Sequence, residues 1–285
     1  MQRVRGFTLV EIAVVLVIVS LIAAVLFAGL RTATTSSKYR TTNQVLQNAD
    51  AALVNYVTVT KRLPCPANGS VPAGTPGAGV AAATCASPGD QTNGVVPWVT
   101  LGIPFTDVVD GFGNLITYRV FAALTVADSM NFTSCDTSGT NAAAAATASG
   151  CACPDNPAFG AAIPANCTPP LQAFANKGLL VQGAAPSIPT AIPSTGAAYV
   201  LISHGPNLGP AWTGQGTVMS LGTGTIGTNE ANFNGANQDV FATPNGYFDS
   251  AVDQTETPSH FDDILLHPSV QSVVTRAGLG PRTHP

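Results

Sequence analysis

An uninterrupted apolar segment near the amino terminus constrains the fold more than any other feature. From Ile12 to Leu30 the chain has 19 residues, and Ser20 carries the only polar side chain among them. In a helix this segment is about 28 Å long, close to the ~30 Å hydrocarbon core of a bilayer. Arg3 and Arg5 precede it, and the positive-inside rule places their end in the cytoplasm. The sequence therefore predicts one membrane-spanning helix, with the rest of the chain on the opposite side.

A cleaved secretory signal and a plain membrane anchor are the simpler alternatives. A secretory signal has an apolar stretch of roughly 7–15 residues and a small-residue cleavage site after it. Here the stretch is longer, and only the short leader Met1 to Gly6 precedes it. Glu11 fits neither alternative well, because a carboxylate near a membrane span is costly and usually marks a functional site.

The run Gly6-Phe7-Thr8-Leu9-Val10-Glu11, followed by an apolar helix, resembles the cleavage and methylation motif of type IV pilins and type II secretion pseudopilins. The resemblance implies that a prepilin peptidase cuts between Gly6 and Phe7 and that the new Phe7 amine is methylated. It also implies that Glu11 docks subunits by pairing with the Phe7 ammonium of a neighbouring copy. Such a pair is physically reasonable, since a buried carboxylate is strongly penalised unless a cation relieves it.

The chain divides into four predicted parts. Residues 1–6 form the prepilin leader, 7–30 a transmembrane and filament-core helix, 31–63 its amphipathic continuation, and 64–285 a periplasmic or extracellular domain. In the continuation, apolar residues recur at steps of three and four, which predicts packing on the domain's own sheet. These residues are Val45, Leu46, Ala49, Leu53, Tyr56 and Val57, and the opposite side is predicted to carry Asn43, Gln47, Asp50 and Asn55. Pro64 is predicted to end the helix.

The predicted fold class is α+β, with a long amino-terminal helix on an antiparallel sheet and long disulfide-tethered loops. The 28 glycines and 22 prolines favour loops and turns. Residues 115–124 and 197–203 are rich in β-branched and aromatic side chains and predict strands. The turn Asp110 to Asn114, followed by Tyr118, is similar to a strand entry of pseudopilins; a hairpin turn without another role is the alternative.

All six cysteines lie beyond residue 60, and their even number favours disulfides in an oxidising compartment over a zinc cluster. A Cys65–Cys85 bridge would close the long loop after the helix. In the chain-entropy model such a bridge raises the free energy of unfolding by about 3 kcal/mol. Residues 134–193 read as an insertion with two further disulfides. It holds Cys135, Cys151, Cys153 and Cys167. Their pairing stays open, although a Cys151–Cys153 bridge would be strained.

Calcium is the one cofactor that the sequence suggests. Oxygen-bearing side chains gather late in the chain, at Glu230 and Asn232 and then at Asp262 and Asp263. The resemblance implies a calcium site in a comparable late loop of major pseudopilins, with Asp263 as the preferred ligand. The spacing lacks the EF-hand pattern, so the sequence favours a solvated loop without a metal.

The predicted function is that of a structural subunit, minor or specialised, of a type IV pilus or type II secretion pseudopilus. The resemblance implies four partners: a prepilin peptidase, other pilin subunits, an assembly platform protein and the bacterial inner membrane. An adhesin or ligand-binding module carried on a pilin stalk is the alternative. Nucleic acid is disfavoured, because the net charge is −4 and basic residues do not cluster.

An enzyme is not expected. Ser203 is the last residue of a predicted strand and His204 follows it directly; adjacent residues of a strand point to opposite faces, so the two side chains cannot readily share a proton.

Overall fold

A computed structural model describes residues 9–85, 91, 93–133, 178–179, 181–183, 196–206, 211–219, 247–249, 252 and 262–280. Its main helix, α1, runs from Leu9 to Thr60 over 52 residues. The predicted long helix is confirmed, but it ends before Pro64. Lys61 adopts a left-handed conformation with φ of 57°, and its amide donates to the Val57 carbonyl at 2.8 Å. Within the parts of the chain covered by these ranges, no helix is both long and apolar enough to cross a membrane.

Among the described residues, nine short strands follow α1. They are β1 (Ala67–Asn68), β2 (Gly94–Val95), β3 (Asn114–Leu115), β4 (Thr117–Val120), β5 (Val181–Gly183), β6 (Tyr199–Ser203), β7 (Trp212–Thr213), β8 (Tyr247–Asp249) and β9 (Ile264–Leu266). The described part of the chain also includes two further α-helices, α2 (Trp98–Leu101) and α3 (Val270–Arg276), and 3₁₀ turns at Phe105–Val108 and Ala122–Thr125. The main sheet is antiparallel and has the order β1-β2-β4-β6-β9. The predicted strands are thus present but shorter than expected.

The second half of α1 packs on one face of this sheet. Val45, Leu46, Ala49, Leu53 and Val57 are all buried there, as the apolar periodicity predicts. They pack with Tyr118, Val120, Tyr199 and Leu201, which alternate along β4 and β6 toward the helix. This face forms the main core of the protein.

The prediction that Asp50 faces solvent is wrong. Asp50 is buried on the inner side of α1, because it follows Leu46 by four residues and precedes Leu53 by three. Its carboxylate accepts a hydrogen bond from the Tyr199 hydroxyl at 2.6 Å. The two guanidinium nitrogens of Arg276 approach its two oxygens at 3.2 and 2.5 Å. Asp50 therefore joins α1 to both β6 and α3.

The opposite face of the sheet is also covered. Leu179, Val181 and Tyr247 pack there on Val200 and Ile202 of β6. They belong to the segments that carry the parallel pair β5–β8. Since β5 comes from the predicted 134–193 insertion, part of that insertion serves as a second layer over the sheet.

A buried cation lies under the same layer. Arg119 is 4% exposed, and its guanidinium donates to the Gly94 carbonyl at 2.7 Å. Burial lowers the pKa of Arg119 to about 10.

The predicted Cys65–Cys85 disulfide is confirmed. The two sulfurs are bonded, and both side chains are buried. The bridge ties the segment after α1 to the end of a loop of Gly- and Pro-rich sequence. Cys135, Cys151, Cys153 and Cys167 lie outside the described residues, so their pairing stays a prediction.

The left-handed residue that ends α1 generates a stability prediction. Lys61→Gly removes the Cβ that disfavours positive φ, and we expect the free energy of unfolding to rise by about 0.5–1 kcal/mol. Lys61→Ala is the matched control, because it removes the same charge but keeps the Cβ. Denaturant unfolding of the full chain in detergent measures both. Equal stabilities for the Gly and Ala variants would contradict this account of the helix end.

Candidate functional site: the protruding helix and its junction with the domain

The first part of α1 stands away from the globular domain. Every residue from Leu9 to Ile22 is exposed; Leu9 is 85% and Leu16 is 63% exposed. The helix meets the domain at Tyr39, whose ring makes an edge-to-face contact with Phe112 at 5.4 Å between centroids. Leu9 and Tyr39 are thus about 45 Å apart along the helix axis. The contiguous exposed apolar surface from Leu9 to Ile22 marks a site of interaction with apolar partners.

Glu11 lies in the first turn of this helix and is exposed. The helix macrodipole favours an anion at that end. Gly6 and Phe7, the predicted cleavage and methylation residues, lie outside the described residues. The pairing of Glu11 with a Phe7 ammonium therefore stays a prediction.

The turn from Asp110 to Asn114 forms the junction between α1 and the sheet. One oxygen of Asp110 accepts from the amides of Phe112 and Asn114, both at 2.9 Å. The other accepts from the Ser203 hydroxyl at 2.6 Å. The predicted turn is confirmed, and its aspartate also ties the turn to the end of β6.

Gly111 brings this turn directly against α1. Its amide donates to the Thr42 hydroxyl at 3.0 Å, and that hydroxyl donates to the Lys38 carbonyl at 3.0 Å. A Cβ on Gly111 would lie 2.2 Å from the Lys38 carbonyl oxygen. No side chain fits at this position without moving the helix backbone. The Lys38 ammonium lies 5.7 Å from the centroid of the Phe112 ring and adds a cation–π contact.

Ser203 and His204 diverge, as their strand positions predict. The His204 ring lies on the outer face, with Nε2 3.0 Å from the Thr117 hydroxyl and Nδ1 3.4 Å from an Asp263 oxygen. The order Thr117–His204–Asp263 resembles a nucleophile–base–acid relay in its connectivity. However, none of the three side chains is more than 2% exposed, so their arrangement holds β4, β6 and the start of β9 together. Sequence reasoning did not identify Thr117, since nothing local links it to His204.

Asp262 and Asp263 are buried, which corrects the expectation of a solvated loop at these two positions. The strand alternation explains their different surroundings, because Asp263 faces His204 and Asp262 faces α1. Burial, and then the charge of Asp262, raise the pKa of Tyr39. The junction thus collects carboxylates from two distant segments of the chain.

Calcium binding stays a prediction. Glu230 and Asn232 lie outside the described residues. Among the residues that are described, no group of three or more His, Cys, Asp or Glu side chains could hold a metal ion. Asp262 and Asp263 are the only members of the predicted ligand set that the structure places.

Comparison with known proteins identifies the amino terminus. Residues 1–27 match the family model of the prokaryotic N-terminal methylation motif, the signature of type IV pilins and pseudopilins. Searches of curated proteins and of solved structures gave no match. The match ends before α1 enters the domain, so it concerns the protruding part of the helix and the residues before it.

Asp110 generates a pH-dependent prediction. Burial raises its pKa, against the opposing effects of the Ser203, Asn114 and Phe112 hydrogen bonds and of His204. A carboxyl with a raised pKa in the folded state stabilises the fold at low pH and loses that contribution as pH rises through the folded pKa. Asp110→Asn keeps two acceptor contacts without the charge. We expect the wild type to gain stability relative to this variant as pH falls from about 7 to about 4.

Asp110→Ala is the contrasting variant, because it leaves two turn amides and the Ser203 hydroxyl without their acceptor. We expect it to cost about 2–4 kcal/mol at neutral pH, whereas Asp110→Asn stays within about 1 kcal/mol of the wild type. Melting temperatures of the three full-length proteins across the pH series measure both effects. A difference between wild type and Asp110→Asn that does not vary with pH would refute the electrostatic account.

Proposed function

We propose that this chain, whose amino terminus carries the signature of type IV pilins and pseudopilins, is a structural subunit of a type IV pilus or type II secretion pseudopilus. The single observation that carries the proposal is the match of residues 1–27 to the methylation motif, continuous with an exposed apolar helix. Its work is polymerisation rather than turnover. The size of the domain favours a minor or specialised subunit.

The exposed helix supports this function energetically. Eleven large hydrophobic side chains between Leu9 and Ile22 are each at least half exposed. Full burial of one such side chain contributes about 1.5–3 kcal/mol. Transfer of all of them from water to an apolar environment would therefore stabilise the helix by on the order of ten to a few tens of kcal/mol. A bilayer offers that environment before assembly, and the helices of neighbouring subunits offer it afterwards. A helix that moves between the two keeps its apolar surface buried throughout.

The motif supports the following processing pathway. A prepilin peptidase cuts between Gly6 and Phe7 on the cytoplasmic side of the inner membrane, and the Phe7 amine is methylated. An assembly platform protein then passes the subunit into the filament. The globular domain lies in the periplasm, or outside the cell in an assembled pilus. The buried Cys65–Cys85 disulfide supports an oxidising location for that domain.

Glu11 provides the direct test of assembly. We expect Glu11→Ala and the isosteric Glu11→Gln to insert in the membrane normally, because neither adds polarity to the helix. Filament incorporation should fall at least tenfold, since the docking cation loses its partner. The measurements are the amounts of each variant in the membrane fraction and in the sheared filament fraction.

Ser20→Ala is the matched control in the same helix. The Ser20 hydroxyl donates to the Val17 carbonyl of its own helix, so its removal should leave incorporation unchanged. Normal incorporation of both Glu11 variants would remove the charge-pairing step from the proposal. Intact mass of the assembled subunit tests cleavage after Gly6 and methylation of Phe7 separately.

Calcium binding is a second, independent proposal, with Asp263 as the preferred ligand and Glu230 and Asn232 as its companions, whereas Asp262 faces the opposite side toward α1. A ligand that prefers the native state must stabilise it. We therefore expect a chelator to lower the melting temperature of the full chain and added calcium to restore it. A melting temperature that is the same with chelator and with calcium would exclude a stabilising site.

A further inference from the structure

A half-enclosed cavity of about 500 Å³ lies beside the Cys65–Cys85 disulfide, at the end of α1 that is remote from the protruding part. Three segments form its walls: residues 62–65 after the helix, residues 81–85 at the end of the Gly- and Pro-rich loop, and residues 122–126 at the second 3₁₀ turn. Small-molecule sites in proteins have volumes of about 300–1,000 Å³, so the cavity is large enough to bind a ligand.

Bonds between the segments hold the walls in place. The disulfide joins the first wall to the second. The Leu63 amide donates to the Leu124 carbonyl at 2.8 Å and joins the first wall to the third. The Ala81 amide donates to the Thr100 hydroxyl at 2.8 Å and ties the second wall to α2. A cavity that is formed in advance needs little ordering when a ligand binds, which favours affinity.

Backbone strain is concentrated next to this cavity. In the described part of the chain, Lys61 and Asp128 are the two residues other than glycine with positive φ, at 57° and 63°. Lys61 directly precedes Arg62, and Asp128 follows Val126 by two residues; Arg62 and Val126 both line the cavity. Such conformations persist only where the surrounding structure enforces them, and they cluster at binding and active sites.

The polar groups of the walls are mostly able to donate hydrogen bonds. Arg62 carries the one charge among the described residues that line the cavity, and its guanidinium has no ion-pair or hydrogen-bond partner among them. The Tyr56 hydroxyl and the backbone amides of Ala83 and Thr84 are also without partners in the described part of the chain. An excess of donors with one cation and no carboxylate favours an anionic ligand.

Apolar side chains form the rest of the walls. They include Leu63, Pro64, Ala122 and Val126, and Val126 is 60% exposed. A cation in the cavity would be repelled by Arg62, and a free inorganic anion would leave the apolar surface in contact with water. An organic anion with a compact apolar body satisfies both the donors and the carbon surface.

We propose that this cavity binds a small organic carboxylate. Its anionic group lies against the Arg62 guanidinium, whose planar fork matches a carboxylate. Its apolar body lies against Leu63, Pro64 and Val126. The proposal does not depend on polymerisation, and it assigns a ligand to the globular domain in addition to its structural work.

Photolabelling of the full-length chain in nonionic detergent tests the site. The probe is 4-benzoylbenzoate, a water-soluble carboxylate whose ketone inserts into nearby C–H bonds under near-ultraviolet light. Its uncharged amide, 4-benzoylbenzamide, is the matched control probe. Mass mapping of proteolytic fragments locates the label. We expect the carboxylate to label the cavity walls about fivefold more than the amide does, since only the carboxylate pairs with Arg62.

Substitutions of Arg62 test the charge. Arg62→Gln removes it, and Arg62→Lys keeps it. Arg40→Gln is the matched control, because Arg40 is also an exposed cation of the chain but lies on α1 outside the cavity. We expect wall labelling by the carboxylate to fall about fivefold in Arg62→Gln, to persist in Arg62→Lys and to stay unchanged in Arg40→Gln.

A second pair of variants tests the cavity itself. Ala122→Leu adds three carbons at a lining residue, whereas Ala123→Leu adds them at the next residue of the same turn, which is exposed and does not line the cavity. We expect the first variant alone to lose wall labelling. Melting temperatures of both variants, and of the Arg62 variants, show whether the domain is still folded.

The outcomes separate the site from the ligand class. Wall labelling that requires the carboxylate, Arg62 and the space at Ala122 supports the proposal. Equal labelling by the two probes, or labelling that survives Arg62→Gln, overturns the choice of an anion. Labelling confined to Leu9–Ile22 reports partition of the probe into detergent and overturns the site. Filament incorporation of Arg62→Gln should equal that of the wild type, so the filament function is judged separately.

Discussion

The packing of the second half of α1 on the sheet is the interaction on which the rest of the structure depends. Leu46, Leu53 and Val57 fill the core between the helix and β4–β6, and Asp50 stands among them. A buried carboxylate is costly unless it is paired, and here Tyr199 and Arg276 supply the partners. Arg276 is 41% exposed, so solvent screens part of its attraction. The trio fixes the rotation of α1 about its own axis more than it adds stability.

That rotation decides what each face of the helix meets. With Asp50 turned inward, the apolar residues of α1 face the sheet, and exposed polar residues such as Gln44, Asn48 and Asn55 face away from it. The same helix continues into the protruding part, so the two halves cannot rotate independently. Contacts that the protruding half would make in an assembly would therefore be coupled in register to the position of the domain.

Sequence predicted the local features well and the distant ones poorly. The long helix, the turn at Asp110 and the Cys65–Cys85 bridge each follow from residues close together in the chain or from spacing alone. The inward position of Asp50 follows from its spacing to Leu46 and Leu53, but its cationic partner Arg276 lies 226 residues away and no local pattern predicts it. The partner of His204 is Thr117 on β4, and no local pattern in the sequence predicts that β4 lies next to β6. Contacts of this kind depend on sheet order, which local patterns do not contain.

The junction determines how the domain is carried on the helix. Gly111 lies so close to the Lys38 carbonyl that no side chain fits between them, and the Thr42 hydroxyl bonds to both residues. Asp110 holds the same turn to Ser203 of β6. A turn bonded on both sides allows little hinge motion between helix and sheet. The packing of α1 in a filament would therefore set the orientation of the domain. Assembly of the filament would also determine which part of the domain's surface is exposed.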